Sequence, residues 1–172
     1  RAGARAALDA KVIELMTADM PAEPSAAVPA VLELIADKHA AVVGPGLGLD
    51  QQGRELARRL GSELPKPAVL DADALTAIGT GLASLQHAAG PRVLTPHPAE
   101  AGRLLGISTD RVQADRYAAA ARLAADSGQV AVLKGARTLV ASPEGQIHVC
   151  PLDTPALAVA GTGDVLSGAI AA

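Results

Sequence analysis

Hydrophobic and polar positions divide the chain into two kinds of segment that alternate. Short runs rich in Val, Leu and Ala are each followed by a turn containing Gly, Pro or Asp. A longer stretch then follows, with apolar residues every three or four positions. The short runs are typical of buried strands and the longer stretches of amphipathic helices. The pattern predicts six strands, at residues 40–43, 67–70, 92–95, 130–133, 138–141 and 146–149.

Capping residues and glycines mark the ends of the predicted helices. These helices run from Asp50 to Gly61, from Pro98 to Gly106, from Asp110 to Gly128 and from Val165 to Ile170. A surface loop over residues 20–29 leads into one more helix that ends near Asp37. Alternation of strand, turn and helix predicts a three-layer α/β/α sandwich with a mostly parallel central sheet, and the last strands are added in antiparallel orientation.

Length and composition fit one domain, residues 1–172, with a proper core. The net charge is −3, and Tyr117 is the only aromatic residue. Proteins that read single-stranded nucleic acid use a basic groove with stacking aromatics, so this class is excluded. No apolar run is long enough to span a bilayer. Cys150 is the sole cysteine, which rules out an internal disulfide and favours the cytoplasm.

The sharpest motif is the glycine-rich segment 160–166, Ala-Gly-Thr-Gly-Asp-Val-Leu, at the start of a predicted helix. Backbone N–H groups at such a helix start hold an anionic group. A carboxylate among them does not bind phosphate, because the two repel each other. Asp164 is instead suited to take a proton from a hydroxyl that attacks a phosphoryl group held by the amides. The alternative is that Asp164 only caps the helix.

Two further motifs follow predicted strands directly. Lys134 and Gly135 can hold phosphate oxygens through charge and backbone amides, or can form a hairpin with a solvated lysine. The segment 95–100, Thr-Pro-His-Pro-Ala-Glu, is a rigid turn that presents His97 and Glu100. Glu100 could bind Mg²⁺ directly or through water, whereas His97 could simply form local hydrogen bonds.

Other site types are excluded by spacing. The glycines of residues 44–48 do not match the dinucleotide fingerprint, although Asp71 lies a plausible distance further on. The sequence contains no Walker A motif, nucleophile elbow or zinc-ligand spacing. Because ligands of parallel sheets bind at the carboxyl ends of the strands, residues 44–48, Asp71, Asp73, His97 and Lys134 indicate one site there.

Five segments together resemble the NAD(P)H-hydrate dehydratases, a family of the ribokinase-like superfamily. They are residues 43–48, 69–75, 94–100, 133–138 and 158–168, in this order. The resemblance implies nucleotide-dependent repair: ADP or ATP phosphorylates the hydroxyl of hydrated NADH or NADPH, and phosphate is then eliminated. It also implies Mg²⁺, an NAD(P)H-hydrate epimerase as a fused domain or partner, and a homo-oligomer.

The resemblance assigns roles residue by residue. Asp164 is the catalytic base. The nucleotide-binding residues are Lys134, Gly135, Ala136, Arg137, Thr138, Gly161, Thr162 and Gly163. The substrate-binding residues are Gly46, Gly48, His97 and Asp164, and Glu100 is the candidate Mg²⁺ ligand.

Two alternatives remain open from the residues. A small-molecule kinase of the same superfamily, acting on a thiazole, pyridoxine or a sugar, would share the aspartate base. A non-catalytic nucleotide-binding module would share the anion-binding turn without turnover. The chain lacks an initiator Met and ends inside an apolar run. We therefore expect a fragment that lacks the family's N-terminal strand and C-terminal helices and that is poorly stable and weakly active alone.

Overall fold

The computed structural model describes residues 5–172 of the chain, with side chains from residue 7 onward. A single six-stranded sheet runs in the order β1-β2-β3-β4-β5-β6. Its strands are β1 (Ala41–Val43), β2 (Ala68–Leu70), β3 (Arg92–Leu94), β4 (Val130–Leu133), β5 (Leu139–Ala141) and β6 (Ile147–Val149). All six lie within one residue of the ranges that the hydrophobic pattern predicts.

The first four strands are parallel and the last two are antiparallel additions, as predicted. Val43 pairs with Leu70, Leu70 with Leu94 and Leu94 with Ala131, so the strands end at one edge. Strand β5 pairs antiparallel with β4, and β6 pairs antiparallel with β5. The carboxyl ends of β1 to β4 therefore deliver four consecutive turns to the same side of the sheet.

Eight α-helices connect and cover the strands in the described part of the chain. They are α1 (Arg5–Asp9), α2 (Pro24–Leu34), α3 (Gln51–Glu63), α4 (Asp73–Ile78), α5 (Pro98–Leu105), α6 (Thr109–Ala114), α7 (Arg116–Ser127) and α8 (Thr162–Ala171). Helix α7 packs on β4 and β5, whereas α8 packs on β1 and β2. The α/β fold is therefore as predicted. No helix in residues 5–172 is long and apolar enough to cross a membrane.

Aliphatic residues alone build the core. Its buried members are Ala, Val, Leu and Ile from α2 to β5, and they form one connected cluster. The single aromatic residue, Tyr117, is exposed and contributes nothing to it. Arg92 is the exception, a guanidinium buried at 1% exposure that donates to the carbonyls of Gly61, Leu64 and Lys66. It fixes the end of α3 to the start of β3.

Several predicted helix boundaries differ from the structure. Gly61 does not end α3: the helix continues to Glu63, and Gly61 is buried in it beside Leu70 and Leu85. The helix predicted from Asp110 is two helices: Ser108 caps α6, and Asp115 breaks the chain and caps α7.

The loop predicted over residues 20–29 ends earlier, since α2 begins at Pro24 and ends at Leu34. The fixed φ of proline suits the first helical position. Burial of Ala27 and Val28 then holds the helix together through Pro29.

Candidate functional site at the carboxyl edge of the sheet

The predicted motifs converge on the carboxyl edge of the sheet. Backbone hydrogen bonds extend the strand pairing just past the strand ends: Asp71 N–H donates to Val43 O at 3.1 Å, and Lys134 N–H to Pro96 O at 2.9 Å. The glycine loop 44–48, Asp71 and Lys134 therefore leave the sheet side by side.

The glycine loop, residues 44–48, packs against the residues that follow β2. Gly44 has a φ of 128°, and a Cβ there would lie 1.8 Å from the backbone carbonyl oxygen of Asp71. Gly48 N–H donates to Asp73 Oδ2 at 2.8 Å, which ties the other end of the loop to the start of α4. Gly46 also has a positive φ, but no atom lies within 4 Å of its Cβ position. The loop is thus held at both ends with its middle open.

Asp71 is the charged centre of the edge, at 3% exposure. Its Oδ1 accepts from Lys134 Nζ at 2.9 Å, and its Oδ2 accepts from the hydroxyl of Ser167 at 3.0 Å. Burial by itself would raise the pKa of Asp71. The hydrogen bond and charge of Lys134, with smaller contributions from Ala72 N–H and Ser167, outweigh burial and hold that pKa below its ordinary value. Asp71 is therefore ionised at neutral pH.

Residues 97–100 form a capping box at the start of α5. His97 Nδ1 accepts from the backbone N–H groups of Ala99 and Glu100, at 3.2 and 3.3 Å, and Glu100 Oε2 accepts from His97 N–H at 2.8 Å. Both side chains thus form local hydrogen bonds. For His97, this was the predicted alternative to ligand binding. With Nδ1 as an acceptor, Nε2 is the donor nitrogen of the His97 ring, and it lies 3.5 Å from Glu100 Oε1. The side chain is 48% exposed, so part of the ring is open to a ligand.

Glu100 does not fit the role of a direct Mg²⁺ ligand. Its residue is buried at 6% exposure, and Oε2 already accepts from His97 N–H and lies 4.0 Å from Lys134 Nζ. Oε1 lies 3.5 Å from His97 Nε2. Within residues 5–172, no group of three or more His, Cys, Asp or Glu side chains is placed to hold a metal. The described residues around Glu100 therefore do not form a direct Mg²⁺ site.

Arg116, at the start of α7, binds the loop that follows β4, residues 134–138. Its guanidinium donates to the carbonyls of Leu133, Lys134 and Ala136, at 3.2, 3.3 and 2.7 Å. Gly135 has a φ of 134°, which favours glycine, and a Cβ there would lie 3.0 Å from Nη1 of that guanidinium. Arg116 was not predicted from the sequence, because nothing in its own segment points to a loop 20 residues away.

The remaining residues of the 134–138 motif make local contacts. The Thr138 hydroxyl donates to Gly135 O at 2.9 Å, and Arg137 has a φ of 53° with Nε 3.9 Å from Asp153 Oδ2. Arg137 is exposed and Thr138 is exposed at its hydroxyl. These contacts give the loop a defined shape and leave its surface open.

Helix α8 begins with the predicted glycine turn. Gly161, with a φ of 87°, is the N-cap residue, and Thr162, Gly163 and Asp164 are the first three helical positions. Asp164 is exposed and, among the described residues, has no side-chain hydrogen bond. The alternative that Asp164 is the helix cap is therefore wrong. Its carboxylate is free to act on a ligand near the positive end of the helix.

The segments 134–138 and 160–166 lie next to each other at the carboxyl edge. A Cβ on Gly163 would lie 3.7 Å from Lys134 Nζ and 3.6 Å from Asp71 Oδ2. Ser167, one turn after Gly163, donates its hydroxyl to Asp71 Oδ2. This residue was also not predicted from the sequence. Its position four residues after Gly163 on a predicted helix was the available signal. Lys134 is thus brought close to both Gly163 and Glu100.

Two shallow depressions lie away from this edge. One is lined by residues that include Thr80, Leu104 and Arg122, and the other by residues that include Arg58 and Ile78. Neither contains a predicted site residue. The carboxyl edge is therefore the candidate site on chemical grounds.

Comparisons with known proteins agree with the motifs. The chain is 41% identical over 174 residues to a bifunctional NAD(P)H-hydrate repair enzyme of Moorella thermoacetica, which covers 98% of this chain and 33% of that protein. It is 48% identical over 137 residues to an ADP-dependent (S)-NAD(P)H-hydrate dehydratase of Neisseria meningitidis, covering 78% of this chain and 46% of that protein. The chain thus spans less than half the length of both relatives.

Solved structures show the same architecture. The ADP/ATP-dependent NAD(P)H-hydrate dehydratase of Bacillus subtilis, crystallised with ATP and Mg²⁺ and soaked with CoA, aligns with a TM-score of 0.65 at 28% identity. The alignment covers 84% of this chain and 58% of that one. The family model described as NAD(P)H-hydrate dehydratase matches residues 1–172. The chain therefore belongs to the NAD(P)H-hydrate dehydratase family.

Proposed function

We propose that the protein containing this chain returns (6S)-NAD(P)H hydrate to NAD(P)H by nucleotide-dependent dehydration. ADP or ATP donates a phosphoryl group to the hydroxyl of the hydrate, and phosphate is then eliminated. Relatives named as ADP-dependent and as ADP/ATP-dependent dehydratases support this activity. The names of the bifunctional relatives support an NAD(P)H-hydrate epimerase as a fused domain or partner.

One observation carries the assignment within the chain: Gly163 lies against Lys134. A Cβ on Gly163 would be 3.7 Å from Lys134 Nζ, although the two residues belong to motifs far apart in sequence. The nucleotide motif and the turn that carries Asp164 therefore share one surface. A phosphoryl group held there would face both an ammonium and the free N–H groups at the start of α8.

In the first step, the hydroxyl oxygen of the hydrate attacks the terminal phosphorus of the nucleotide. An O–P bond forms to the hydrate, and the P–O bond to the remaining nucleotide breaks. Asp164 accepts the hydroxyl proton as this happens. The positive end of α8 favours the ionised carboxylate that this role requires.

In the second step, the C–O bond breaks and phosphate leaves with the bonding electrons. Loss of a proton from the neighbouring ring carbon then completes the double bond. Phosphate is a far better leaving group than hydroxide, which explains why a nucleotide is consumed. Any Mg²⁺ would arrive on the nucleotide phosphates, as such ions usually do, with Glu100 reaching it only through water.

We propose the following roles for the other predicted residues. The nucleotide contacts Gly135, Ala136, Arg137, Thr138, Gly161 and Thr162, and the hydrate contacts Gly46, Gly48 and His97. The His97 Nε2 proton and the open middle of the glycine loop are the groups available for the hydrate.

The test uses the full-length protein with hydrated NADH and either ADP or ATP. Recovery of NADH absorbance with equimolar phosphate release is expected, and no recovery is expected without a nucleotide. Transfer of phosphate to a thiazole, pyridoxine or a sugar, without NADH recovery, would identify a kinase instead. Nucleotide binding with no turnover of any of these substrates would identify a non-catalytic module.

A further inference from the structure

Helix α8 packs on β1 and β2 but has little buried surface of its own within residues 5–172. Ser167 is its one buried residue, and Val165 is 73% exposed. The N-cap residue, Gly161, provides no side-chain hydrogen bond. The position of the predicted base therefore depends strongly on the polar contact that Ser167 makes.

That contact is with Asp71, whose carboxylate lies under the first turns of α8. Oδ2 accepts from the Ser167 hydroxyl at 3.0 Å and is 3.6 Å from the Cβ position of Gly163. Gly163 and Ser167 are four residues apart and so lie on one face of the helix. Asp164 follows Gly163 directly, so a shift of this face moves the base.

The other oxygen of the same carboxylate binds Lys134. Oδ1 accepts from Nζ at 2.9 Å, and Glu100 Oε2 lies 4.0 Å from Nζ on the other side. A buried carboxylate with both oxygens satisfied tolerates little displacement, since losing either partner leaves a charge poorly compensated. The two halves of the site are therefore joined through one side chain.

We propose that Asp71 is a positioning residue that sets the geometry between Lys134 and the base-carrying turn of α8. Through Lys134 it orients the ammonium that faces the nucleotide, and through Ser167 it orients Asp164 toward the hydroxyl. Asp71 itself touches neither ligand. This inference rests on the proposed dehydratase activity, and it predicts an effect on turnover rather than on nucleotide affinity when the Ser167 contact is removed.

The test compares Ser167→Ala with Ser127→Ala in the full-length protein. Both serines are completely buried in helices, and the Ser127 hydroxyl donates to Leu123 O at 2.7 Å, far from the site. The kcat for NADH recovery should fall about 10- to 100-fold in Ser167→Ala, as expected for a misplaced catalytic group. The dissociation constant of ADP, measured by calorimetry, should change by less than about twofold, and Ser127→Ala should keep its kcat within the same factor.

A second variant, Asp71→Asn, tests whether the two residues act together. The kcat losses of Asp71→Asn and Ser167→Ala should combine to less than their product in the double variant, because both disturb one contact. An unchanged kcat in Ser167→Ala, or an equal loss in Ser127→Ala, would overturn the inference even if Asp71→Asn does not fold. A wild-type protein that fails to restore NADH contradicts the proposed function instead, and the inference then falls with it.

Discussion

A Cβ atom on Gly44 would lie 1.8 Å from the backbone carbonyl oxygen of Asp71. Strands β1 and β2 pair up to Val43 and Leu70, so the next residue of each strand is still at sheet spacing. Gly44 turns there with a φ of 128°, a conformation that favours glycine, and its Cα faces the neighbouring carbonyl. The glycine loop therefore depends on the absence of a side chain at its first position.

Gly44→Ala should destabilise the protein strongly. Strained backbone and overlap with a carbonyl together cost about 3 kcal/mol or more in the free energy of unfolding. Gly145→Ala is the matched control, because Gly145 has a φ of 89° with no atom within 4 Å of its Cβ position. The control should lose only roughly 1–2 kcal/mol. Urea unfolding measures both, and equal losses would show that the contact with Asp71 has been misjudged.

The buried Asp71 pair should make stability depend on pH in the acid range. The pKa of Asp71 is lowered from an ordinary value of 3.8, so the folded protein binds its proton less tightly than the unfolded chain does. The stabilisation is therefore fully present above the unfolded pKa and is lost as pH falls through the lower folded pKa.

Asp71→Asn should reduce the dependence of the free energy of unfolding on pH in the acid range, here called the acid limb. Glu63→Gln is the control, because the pKa of Glu63 is also lowered, but by an exposed pair with Arg59 that contributes little. Urea unfolding between about pH 2 and pH 5 covers the window in which Asp71 takes up its proton. An acid limb that is as steep in Asp71→Asn as in the wild type would contradict the account of this pair.

The strands were predictable because each is a short apolar run ended by a turn-forming residue. The helix ends were less predictable. Local rules interpret Pro29 and Gly61 as helix breakers, but both lie inside helices that have a buried face. Packing against distant residues decided both. Local propensity is a weak guide where tertiary contacts oppose it.

The site was predictable as a set of motifs but not as a set of contacts. The edge where the motifs meet follows from the parallel order of the strands. The Asp71 carboxylate, however, binds partners 63 and 96 residues away, and no local pattern indicates either pair. Lys134 was predicted as a phosphate ligand or as a solvated lysine of a hairpin, and neither prediction included its ion pair with Asp71.

Lys134→Ala should therefore have two effects. Nucleotide binding should weaken by about 1.5–3 kcal/mol, the contribution of a charged hydrogen bond, while binding of the hydrate changes much less. The melting temperature should also fall, because the buried Asp71 loses its partner. Lys38→Ala, which breaks an exposed pair with Asp37, is the control and should change neither. Loss of stability with unchanged ADP affinity would remove Lys134 from the nucleotide site.

Arg116→Ala should loosen the loop after β4. The guanidinium holds three carbonyls of residues 133–136, so its loss should raise the dissociation constant of ADP by about tenfold, equivalent to one net charged hydrogen bond. Arg122→Ala is the matched control on the same helix, since Arg122 is exposed and pairs with Asp126. Calorimetric titration with ADP compares the two. Equal affinities would show that Arg116 does not shape the nucleotide loop.

The most direct measurement is the rate of NADH recovery by full-length Asp164→Asn, with ADP affinity and melting temperature measured on the same sample. Asparagine keeps the size of the side chain at the third position of α8, so folding should survive. It also removes a negative charge beside the phosphate, so ADP affinity should hold or improve.

Turnover should fall about 10²- to 10⁴-fold, as expected when a positioned base is lost. Asp126→Asn, an exposed aspartate on α7, should keep full turnover. Near-normal NADH recovery by a folded Asp164→Asn protein would contradict the assignment of Asp164 as the base.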